Sequence, residues 1–359
     1  MRSDFLESLP ELMKDVLGPP RFYLHQIDQT AEKGLVVEAD REFYRRAIFL
    51  DQRALSEQTN GAWMPLEGLK QQVLAVQDLP AKTHFIFHIG HCGSTLMSRL
   101  LEAAGGNLAL REPLVLRTLS ELLQAADAGA GPLKANVVAR EIEFHARLLG
   151  RTFEATEVAI IKATSFTSNL GPALLALNPA NRAVLMAMSA EAYVATMLGA
   201  AEYSADLRGF AAARYQTLAA HLGAPDFELS ELSLGRLAGL AWLSELMKLQ
   251  AIAAGAPGQS HFLDFDAFLA EPRSSLDELC SFLSLPLDDQ ALDRLMESPV
   301  LSQYSKAPDH PFDAAARRQR IAAAKASVGS DIEVALAFIA ELSGAHPGLA
   351  EAAAHFGYA

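Results

Sequence analysis

The sequence predicts an α/β fold of three layers, in which a mostly parallel sheet lies between two layers of helices. Short and almost uniformly apolar segments of strand length alternate with helical segments through the middle of the chain. Strands of this composition occur in parallel sheets, because helices cover both faces of such a sheet. Half of the 359 residues are apolar and a fifth are charged, so the chain can bury the core of one large domain or two ordinary ones.

The first eighty residues differ in character from the remainder of the chain. They combine short mixed elements with two turn-rich stretches, LGPPRF and QTNGAWMP, in which proline and glycine interrupt regular structure. We therefore expect residues 1–80 to form a small mixed α/β N-terminal extension packed on the core.

The regular alternation of strands and helices starts after residue 80. Apolar runs predict strands at 83–90, 107–113, 157–164, 182–188 and 261–266. Helices are predicted at 94–106, after 113, at 136–150, within 167–177, after 188, through almost all of 206–255 and up to 290. We expect a domain at residues 81–300 that includes a helical insertion at 206–255. A basic loop and helices are expected at 301–359.

Charge and cysteine content argue against several classes of function. The net charge of −13 disfavours broad nucleic-acid binding, which needs a basic surface. Two cysteines, Cys92 and Cys280, are too few for a disulfide framework or a structural zinc site. The first twenty residues contain no apolar signal segment, and Glu245 and Lys248 interrupt the best candidate for a membrane span. We therefore expect a cytoplasmic protein that binds neither membranes nor nucleic acid.

The segment HIGHCGSTLMSRLL, residues 88–101, permits three interpretations as a phosphate-handling loop. A cysteine phosphatase needs its arginine and its cysteine to close around one phosphate, but the spacing from Cys92 to Arg99 is one residue too long. A nucleotide kinase needs the pattern G-x-x-x-x-G-K-[ST], but Gly93 follows Gly90 too closely and no lysine comes after it. We therefore interpret Cys92 as a small residue that lines a tight turn.

The third interpretation is an anion site at a helix N-terminus. Gly93 permits a sharp turn between the strand and the helix that comes after it. The backbone N–H groups of residues 92–96 then point at an anion, and the hydroxyls of Ser94 and Thr95 add donors. Such a loop suits a 5′-phosphosulfate, which is bound and cleaved without a metal, and the sequence contains no metal-ligand pattern with sensible spacing.

With this loop the chain resembles the PAPS-dependent sulfotransferases, a P-loop-type family whose loop reads roughly P-[KR]-S-G-T-T-L. Residues 90–96, GHCGSTL, occupy the corresponding place. The segment REP (111–113) is similar to the acidic segment of the tyrosylprotein and bacterial branches. Further segments resemble the family in the same order: IIKAT (160–164), RAVLMAMSAEAYVATML (182–198) and HFLDFDAFLAEPRSSLDELCSFLSLPL (261–287). The resemblance covers roughly residues 83–290.

The resemblance implies catalytic and cofactor-binding residues. Glu112 corresponds to the general base, Lys162 to the lysine near the sulfuryl group, and His91 to the cationic residue of the loop. The loop residues implied in binding the 5′-phosphosulfate of PAPS are His91, Cys92, Gly93, Ser94, Thr95 and Leu96. The residues implied near the 3′-phosphate are Ser189, Thr196, Lys306, Arg317 and Arg318.

The chain departs from the family at the segment for the 3′-phosphate. Met188, Ser189 and Ala190 stand where the family has R-D-P, so a charge-assisted bond from an arginine is missing. The segment 304–320 is basic and lies where the family has a basic loop that folds over the 3′-phosphate. It could compensate for the missing arginine, although for any single arginine of this segment a solvated helix face is the simpler interpretation.

Other residues also have structural alternatives to a functional role. Glu112 could be a surface or capping acid before Pro113, and Thr196 could serve only helix packing. We expect Arg111 to pack or pair on the surface, and we interpret His88 as a hydrogen-bonded histidine of the core. The aromatic residues are interpreted as core and not as a stacking platform.

These observations lead to two classes of function. The first is an enzyme that transfers a sulfuryl group from PAPS to a hydroxyl of a small-molecule or peptide acceptor, with the 206–255 segment forming much of an apolar acceptor pocket. The second is a repurposed or catalytically silent P-loop protein that binds another phosphorylated ligand. A nucleotide-dependent phosphotransferase is a third possibility.

Overall fold

The computed structural model describes residues 17–77, 82–131, 133–223, 227–285, 287–304, 307–311 and 313–358. In this part, the chain begins with three antiparallel strands, β1 (Phe22–Asp28), β2 (Lys33–Glu38) and β3 (Gly61–Pro65), paired in that order. Two short helices, α1 (Arg41–Arg46) and α2 (Glu67–Ala75), complete this N-terminal unit. Its buried residues belong to the same hydrophobic core as those of the rest of the protein.

A sheet of five parallel strands forms the centre of the molecule. The strands are β4 (Thr83–His88), β5 (Asn107–Arg111), β6 (Val158–Lys162), β7 (Arg182–Ala187) and β8 (Ser260–Asp264). Their order is β5-β6-β4-β7-β8. Every residue of β4, β5 and β6 is buried, as expected where helices cover both faces of a sheet. The predicted three-layer α/β/α class with a parallel sheet is confirmed.

Helices connect the strands and cover the sheet. They are α3 (Ser94–Ala104), α4 (Val115–Asp127), α5 (Ala135–Leu149), α6 (Gly171–Ala176), α7 (Ala190–Leu198), α8 (Tyr203–Gly209), α9 (Ala211–Leu222), α10 (Leu234–Gly255), α11 (Phe265–Ala270), α12 (Pro272–Phe282) and α13 (Asp289–Met296). Because β5 and β7 lie on opposite sides of β4, the connections diverge around β4. In open α/β sheets a crevice forms at the carboxyl ends of the strands where this happens, and ligands bind there.

The described residues of the 206–255 segment are largely helical, as predicted, and they are divided among several helices. The segment contains the end of α8, then α9 and, after a short 3₁₀ turn at Leu229–Glu231, the long helix α10. The charged residues Glu245 and Lys248 of α10 are buried and pair with each other, with 3.4 Å between Nζ and Oε2. Within the described ranges, no helix combines the length and the apolar character needed to cross a membrane.

The C-terminal part adds two antiparallel strands and two helices. They are β9 (Gln303–Tyr304), β10 (Ala307–Pro311), α14 (Ala314–Ala345) and α15 (Pro347–His355). The backbone of α14 is interrupted at Val328, where φ is −130°. The proposed domain boundaries at residues 80 and 300 stay predictions.

Candidate functional site

A cavity of about 1110 Å³ opens at the carboxyl ends of the central strands. The loop between β4 and α3 forms its floor, and the residues that come after β5 and β6 form one wall. Residues of α7, α8 and α14 form the opposite wall. Its position agrees with the crevice that the strand order predicts.

The loop that enters α3 has an unusual backbone. Gly90, His91 and Gly93 have φ values of 89°, 54° and 73°, all in the left-handed region. A Cβ atom on Gly93 would lie 2.0 Å from the ring of Phe265. Glycine is therefore required at position 93 both by the backbone conformation and by the close packing of the loop on α11.

The N-terminus of α3 has no cap from a side chain. The first hydrogen bond of the helix runs from the N–H of Met97 to the carbonyl of Gly93, at 3.0 Å. The N–H groups of the first helical turn therefore lack acceptors inside the helix, and the helix dipole adds partial positive charge at this end. Since Ser94, Thr95 and Leu96 line the cavity, the end of α3 offers a site for an anion.

Two hydroxyl groups at the same cavity have no hydrogen-bond partner among the described residues. The Oγ1 atoms of Thr95 and Thr164 are buried and unpaired within the described part of the chain, and both residues line the cavity. Buried polar groups in proteins nearly always have partners. The two hydroxyls are therefore available to a ligand.

Cys92 lies behind the loop and faces away from the cavity. Its side chain is fully buried, and its thiol donates a hydrogen bond to the carbonyl of Met186 at 3.3 Å. Burial raises the pKa of Cys92 to about 12. A thiol of this kind is not a nucleophile at neutral pH, which excludes the chemistry of a cysteine phosphatase.

Two histidines flank the loop. His88 is buried, accepts the N–H of Gly90 at Nδ1 (2.9 Å) and lies 3.0 Å from the carbonyl of Ala163 through Nε2. It is a hydrogen-bonded core histidine, as interpreted from the sequence, although it also lines the cavity. The ring of His91 packs on Tyr203, with 4.2 Å between the ring centroids. His91 thus connects the loop to α8.

Glu112 and Lys162 meet at the cavity wall as a buried ion pair. The Nζ atom of Lys162 lies 2.5 Å from Oε1 of Glu112, and Lys162 is 1 % exposed. The N–H of Glu112 donates to the carbonyl of Lys162, at 2.7 Å, and Glu112 has φ 53°. A left-handed conformation is uncommon for glutamate and marks a position that the surrounding structure holds in place.

Arg111, next to this pair, is not a surface residue, and that interpretation was wrong. Its guanidinium is 1 % exposed and donates to the carbonyls of Tyr44, Arg45 and Ala47 and to Glu102. The strand β5 directs Arg111 toward the N-terminal unit and leaves Glu112 beside the cavity. The sequence gives no sign of this contact, because it joins residues more than sixty positions apart.

Arg317 lies beside Met188, the residue that stands where the family pattern has an arginine. Its Nη2 lies 2.9 Å from Sδ of Met188, and its Nε lies 2.6 Å from Oδ1 of Asp266. The guanidinium also packs over the ring of Phe265, 4.7 Å from the ring centroid. Arg317 lines the cavity. An arginine of α14 therefore lies beside the position at which this chain lacks the arginine of the family pattern.

The other residues expected near a 3′-phosphate are distributed differently. Thr196 lines the cavity, and its hydroxyl donates to the carbonyl of Ala192 at 2.7 Å. Ser189 is exposed and caps α7 by accepting the N–H of Ala192. Arg318 is exposed and does not line the cavity, whereas Arg320 does. Lys306 lies outside the described residues.

Arg117 lines the cavity but was not identified as a site residue from the sequence. Arg117 of α4 lies 4.0 Å from Glu112 and 3.8 Å from Asp51, and its Nε is buried without a partner in the described part. The sequence indicated its location only through its position five residues after Glu112, in the first turn of a helix.

The interpretation of all aromatic residues as core was also wrong. Phe166 and Phe210 line the cavity and stack on each other, with 5.2 Å between centroids and 19° between planes. Phe210 is 38 % exposed. Among the described residues of the 206–255 segment, Asp206 and Phe210 line this cavity and those of α10 do not, so the segment forms less of the cavity wall than we expected.

No family model matches the chain, and no curated protein matches it in sequence. The chain is similar to the sulfotransferase domain from the curacin biosynthetic pathway, with 14 % identity, 74 % of this chain and 99 % of that chain covered, and a TM-score of 0.38. It is also similar to the sulfotransferase domain of the Synechococcus PCC 7002 olefin synthase, with 16 % identity, 69 % of this chain and 88 % of that chain covered, and a TM-score of 0.38. A third similar structure is sulfotransferase STF9 from Mycobacterium avium, with 12 % identity, 72 % of this chain and 79 % of that chain covered, and a TM-score of 0.37. Similarity this remote does not assign a function to this chain.

Proposed function

We propose that the protein is a sulfotransferase-like enzyme that transfers a sulfuryl group from PAPS to a hydroxyl of a small-molecule acceptor. The observation that carries the proposal is the shared cavity, in which the uncapped N-terminus of α3 lies together with the buried Glu112–Lys162 pair. An anion-binding end of a helix, a lysine and a carboxylate are the parts that metal-independent sulfuryl transfer needs.

The cavity fits the donor in two respects. The amides of Ser94, Thr95 and Leu96 and the unpaired hydroxyl of Thr95 would hold the 5′-phosphosulfate. Arg317, with Arg320 beside it on α14, supplies positive charge for the 3′-phosphate. When bound, PAPS supplies a sulfuryl group on a phosphate leaving group.

Glu112 acts as the general base in this mechanism. Its carboxylate accepts the proton of the acceptor hydroxyl, and Lys162 stabilises negative charge on the group that is transferred. In the structure Lys162 already pairs with Glu112. A bound anion at the end of α3 competes with Glu112 for the ammonium of Lys162, which leaves the carboxylate oxygen open to the acceptor hydroxyl.

The stacked rings of Phe166 and Phe210 form an apolar part of the cavity wall, and Phe210 is exposed. The guanidinium of Arg117, which is close to Glu112, lies 5.4 Å from the ring centroid of Phe166. The rings therefore stand close to the proposed base, and they suit an acceptor with an apolar or aromatic body.

Calorimetric titration with PAP, the desulfated nucleotide, tests the donor. We expect PAP to bind at least about tenfold more tightly than 5′-AMP, because Arg317 and Arg320 contribute charge-assisted hydrogen bonds to a 3′-phosphate. Absence of PAP binding at millimolar concentration would contradict the proposal.

Two further ligand results separate the alternative functions. Equal affinity for PAP and 5′-AMP would favour the alternative of a protein that binds another phosphorylated ligand. Magnesium-dependent ATP binding would favour a nucleotide-dependent phosphotransferase. With PAPS and an acceptor that supports turnover, Glu112→Gln is expected to reduce the rate of transfer at least about a hundredfold. A silent binding protein predicts that Glu112→Gln and Lys162→Ala leave the binding function intact.

A further inference from the structure

The segment of residues 44–53, which we call the clamp segment, wraps around the end of β5. Arg111, the last residue of β5, donates from its guanidinium to the carbonyls of Tyr44 and Ala47, at 2.9 and 3.0 Å. The guanidinium is buried, so these bonds are made away from water and are costly to lose. The clamp segment is part of the N-terminal unit and not of the central sheet.

Leu50 of the clamp segment makes backbone hydrogen bonds on both sides of Glu112. Its N–H donates to the carbonyl of Arg111 at 2.6 Å, and its carbonyl accepts the N–H of Leu114 at 3.1 Å. The two bonds hold the backbone on both sides of Glu112, whose φ of 53° is costly for glutamate. The third restraint is the bond from the N–H of Glu112 to the carbonyl of Lys162.

Phe49 and Asp51 bring the clamp segment to the charged side chains of the site. The Nζ atom of Lys162 lies 5.5 Å from the centroid of the Phe49 ring, and the guanidinium of Arg53 lies 4.2 Å from the same ring. Asp51 is 5 % exposed, binds Arg53 and lies 3.8 Å from Arg117. An aromatic face stabilises an ammonium group that is removed from water.

We propose that the clamp segment is the positioning device of the site. It fixes the strained backbone at Glu112 and holds the Lys162 ammonium between the Phe49 ring and the Glu112 carboxylate. The catalytic consequence rests on the proposed function, whereas the positioning itself does not. The N-terminal unit is thus required for a competent site. Phe49 and Asp51 do not line the cavity themselves and act through the side chains that they contact.

Hydrogen exchange of the full-length protein tests the positioning without any activity. Phe49→Leu removes the ring and keeps apolar bulk. We expect the amides of Glu112 and Leu114 to exchange about tenfold faster in this variant, since the backbone hydrogen bonds of Leu50 open more often. Phe338→Leu is the matched control, because Phe338 of α14 lies outside the clamp segment and also packs under an arginine, with Arg236 5.3 Å from its ring centroid. Equal exchange at Glu112 and Leu114 in both variants would overturn the inference.

Steady-state kinetics distinguish positioning from general stability. Phe49→Leu is expected to lower kcat about tenfold with KM for the donor changed less than about twofold, and Phe49→Tyr is expected to restore kcat. Asp51→Asn is a second disruption of the same segment, should Phe49→Leu fail to fold. If the wild-type protein does not transfer sulfuryl groups, the proposed function fails and the exchange rates alone decide the inference. A kcat of Phe49→Leu equal to that of Phe338→Leu would contradict it.

Discussion

At the scale of single residues, the site depends on two charges that are buried together. Lys162 and Glu112 each lose most of their hydration, and each is compensated mainly by the other. Removal of one partner from such a pair leaves the second charge buried without compensation, which costs more than removal of both. The same contact therefore contributes to stability and, in the proposed mechanism, decides whether the Glu112 carboxylate is open to the acceptor hydroxyl.

A double-mutant cycle measures this dependence. We expect Lys162→Met to lower the free energy of unfolding by about 3 kcal/mol. The double variant with Glu112→Gln should recover a substantial part of that loss, because the buried carboxylate is then absent. Urea unfolding of the two single variants and the double variant provides the values. Additive single effects would show that the two side chains do not interact.

The second residue-scale prediction concerns the replacement for the missing arginine. Arg317 is held by Asp266 and Met188 at the cavity, while its neighbour Arg318 is exposed. We expect Arg317→Lys to weaken PAP binding about tenfold, since lysine cannot reproduce the planar contacts of a guanidinium. Arg318→Lys is the comparison variant, and calorimetry is the measurement. A larger effect at Arg318 would show that α14 presents a different face to the ligand.

At the scale of secondary-structure elements, the decisive feature is the way α3 begins. Its loop uses three left-handed residues in four positions, and its first turn has no side-chain cap. Such a start is costly to a helix unless something else satisfies the amides. The close packing of Gly93 on Phe265 fixes where the amides point.

Substitution of Gly93 by alanine tests this arrangement. Gly129, which also has a positive φ (64°) but no atom within 4 Å of a built Cβ, is the control. Gly129→Ala should cost about 1 kcal/mol through backbone strain alone. Gly93→Ala should cost more and abolish PAP binding, because the methyl group would overlap the ring of Phe265. Urea unfolding and calorimetry are the measurements. Equal costs at the two positions, with binding retained, would contradict the proposed role of the loop.

Sequence patterns predicted the elements well where burial alone decides the structure. The uniformly apolar runs became β4, β5 and β6 because a covered parallel strand needs no alternation. The predicted strand at 107–113 ends at Arg111, since the left-handed backbone of Glu112 breaks the extended conformation. Arg117, Phe166 and the clamp segment could not be predicted, because their positions depend on contacts between distant parts of the chain.

At the scale of the whole molecule, buried histidines make stability dependent on pH. Burial lowers the pKa of His84 and of His145 to about 4, from an ordinary value of 6.5. His84 is held between the carbonyl of Leu283 and the N–H of Arg182, and so connects β4 to β7 and to the turn after α12. Between pH 6.5 and 4 the unfolded chain binds protons that the folded protein does not, so acid favours unfolding.

We therefore expect the free energy of unfolding to fall as the pH is lowered from about 6.5 to about 4. His84→Gln should reduce this dependence, because one of the buried histidines is then absent. His355→Gln, at an exposed histidine, is the control. Urea unfolding at several pH values gives the slopes. An unchanged slope in His84→Gln would show that His84 does not resist protonation in the folded state.

The central claim is that the open end of α3 and the ammonium of Lys162 hold an anionic group beside Glu112. A crystal structure of the protein grown with PAP tests this claim most directly. We expect the 5′-phosphate of PAP to lie within hydrogen-bond distance of the amides of residues 94–96, and its 3′-phosphate to lie beside Arg317. Ordered nucleotide elsewhere, or a cavity that the protein itself closes at this point, would contradict it.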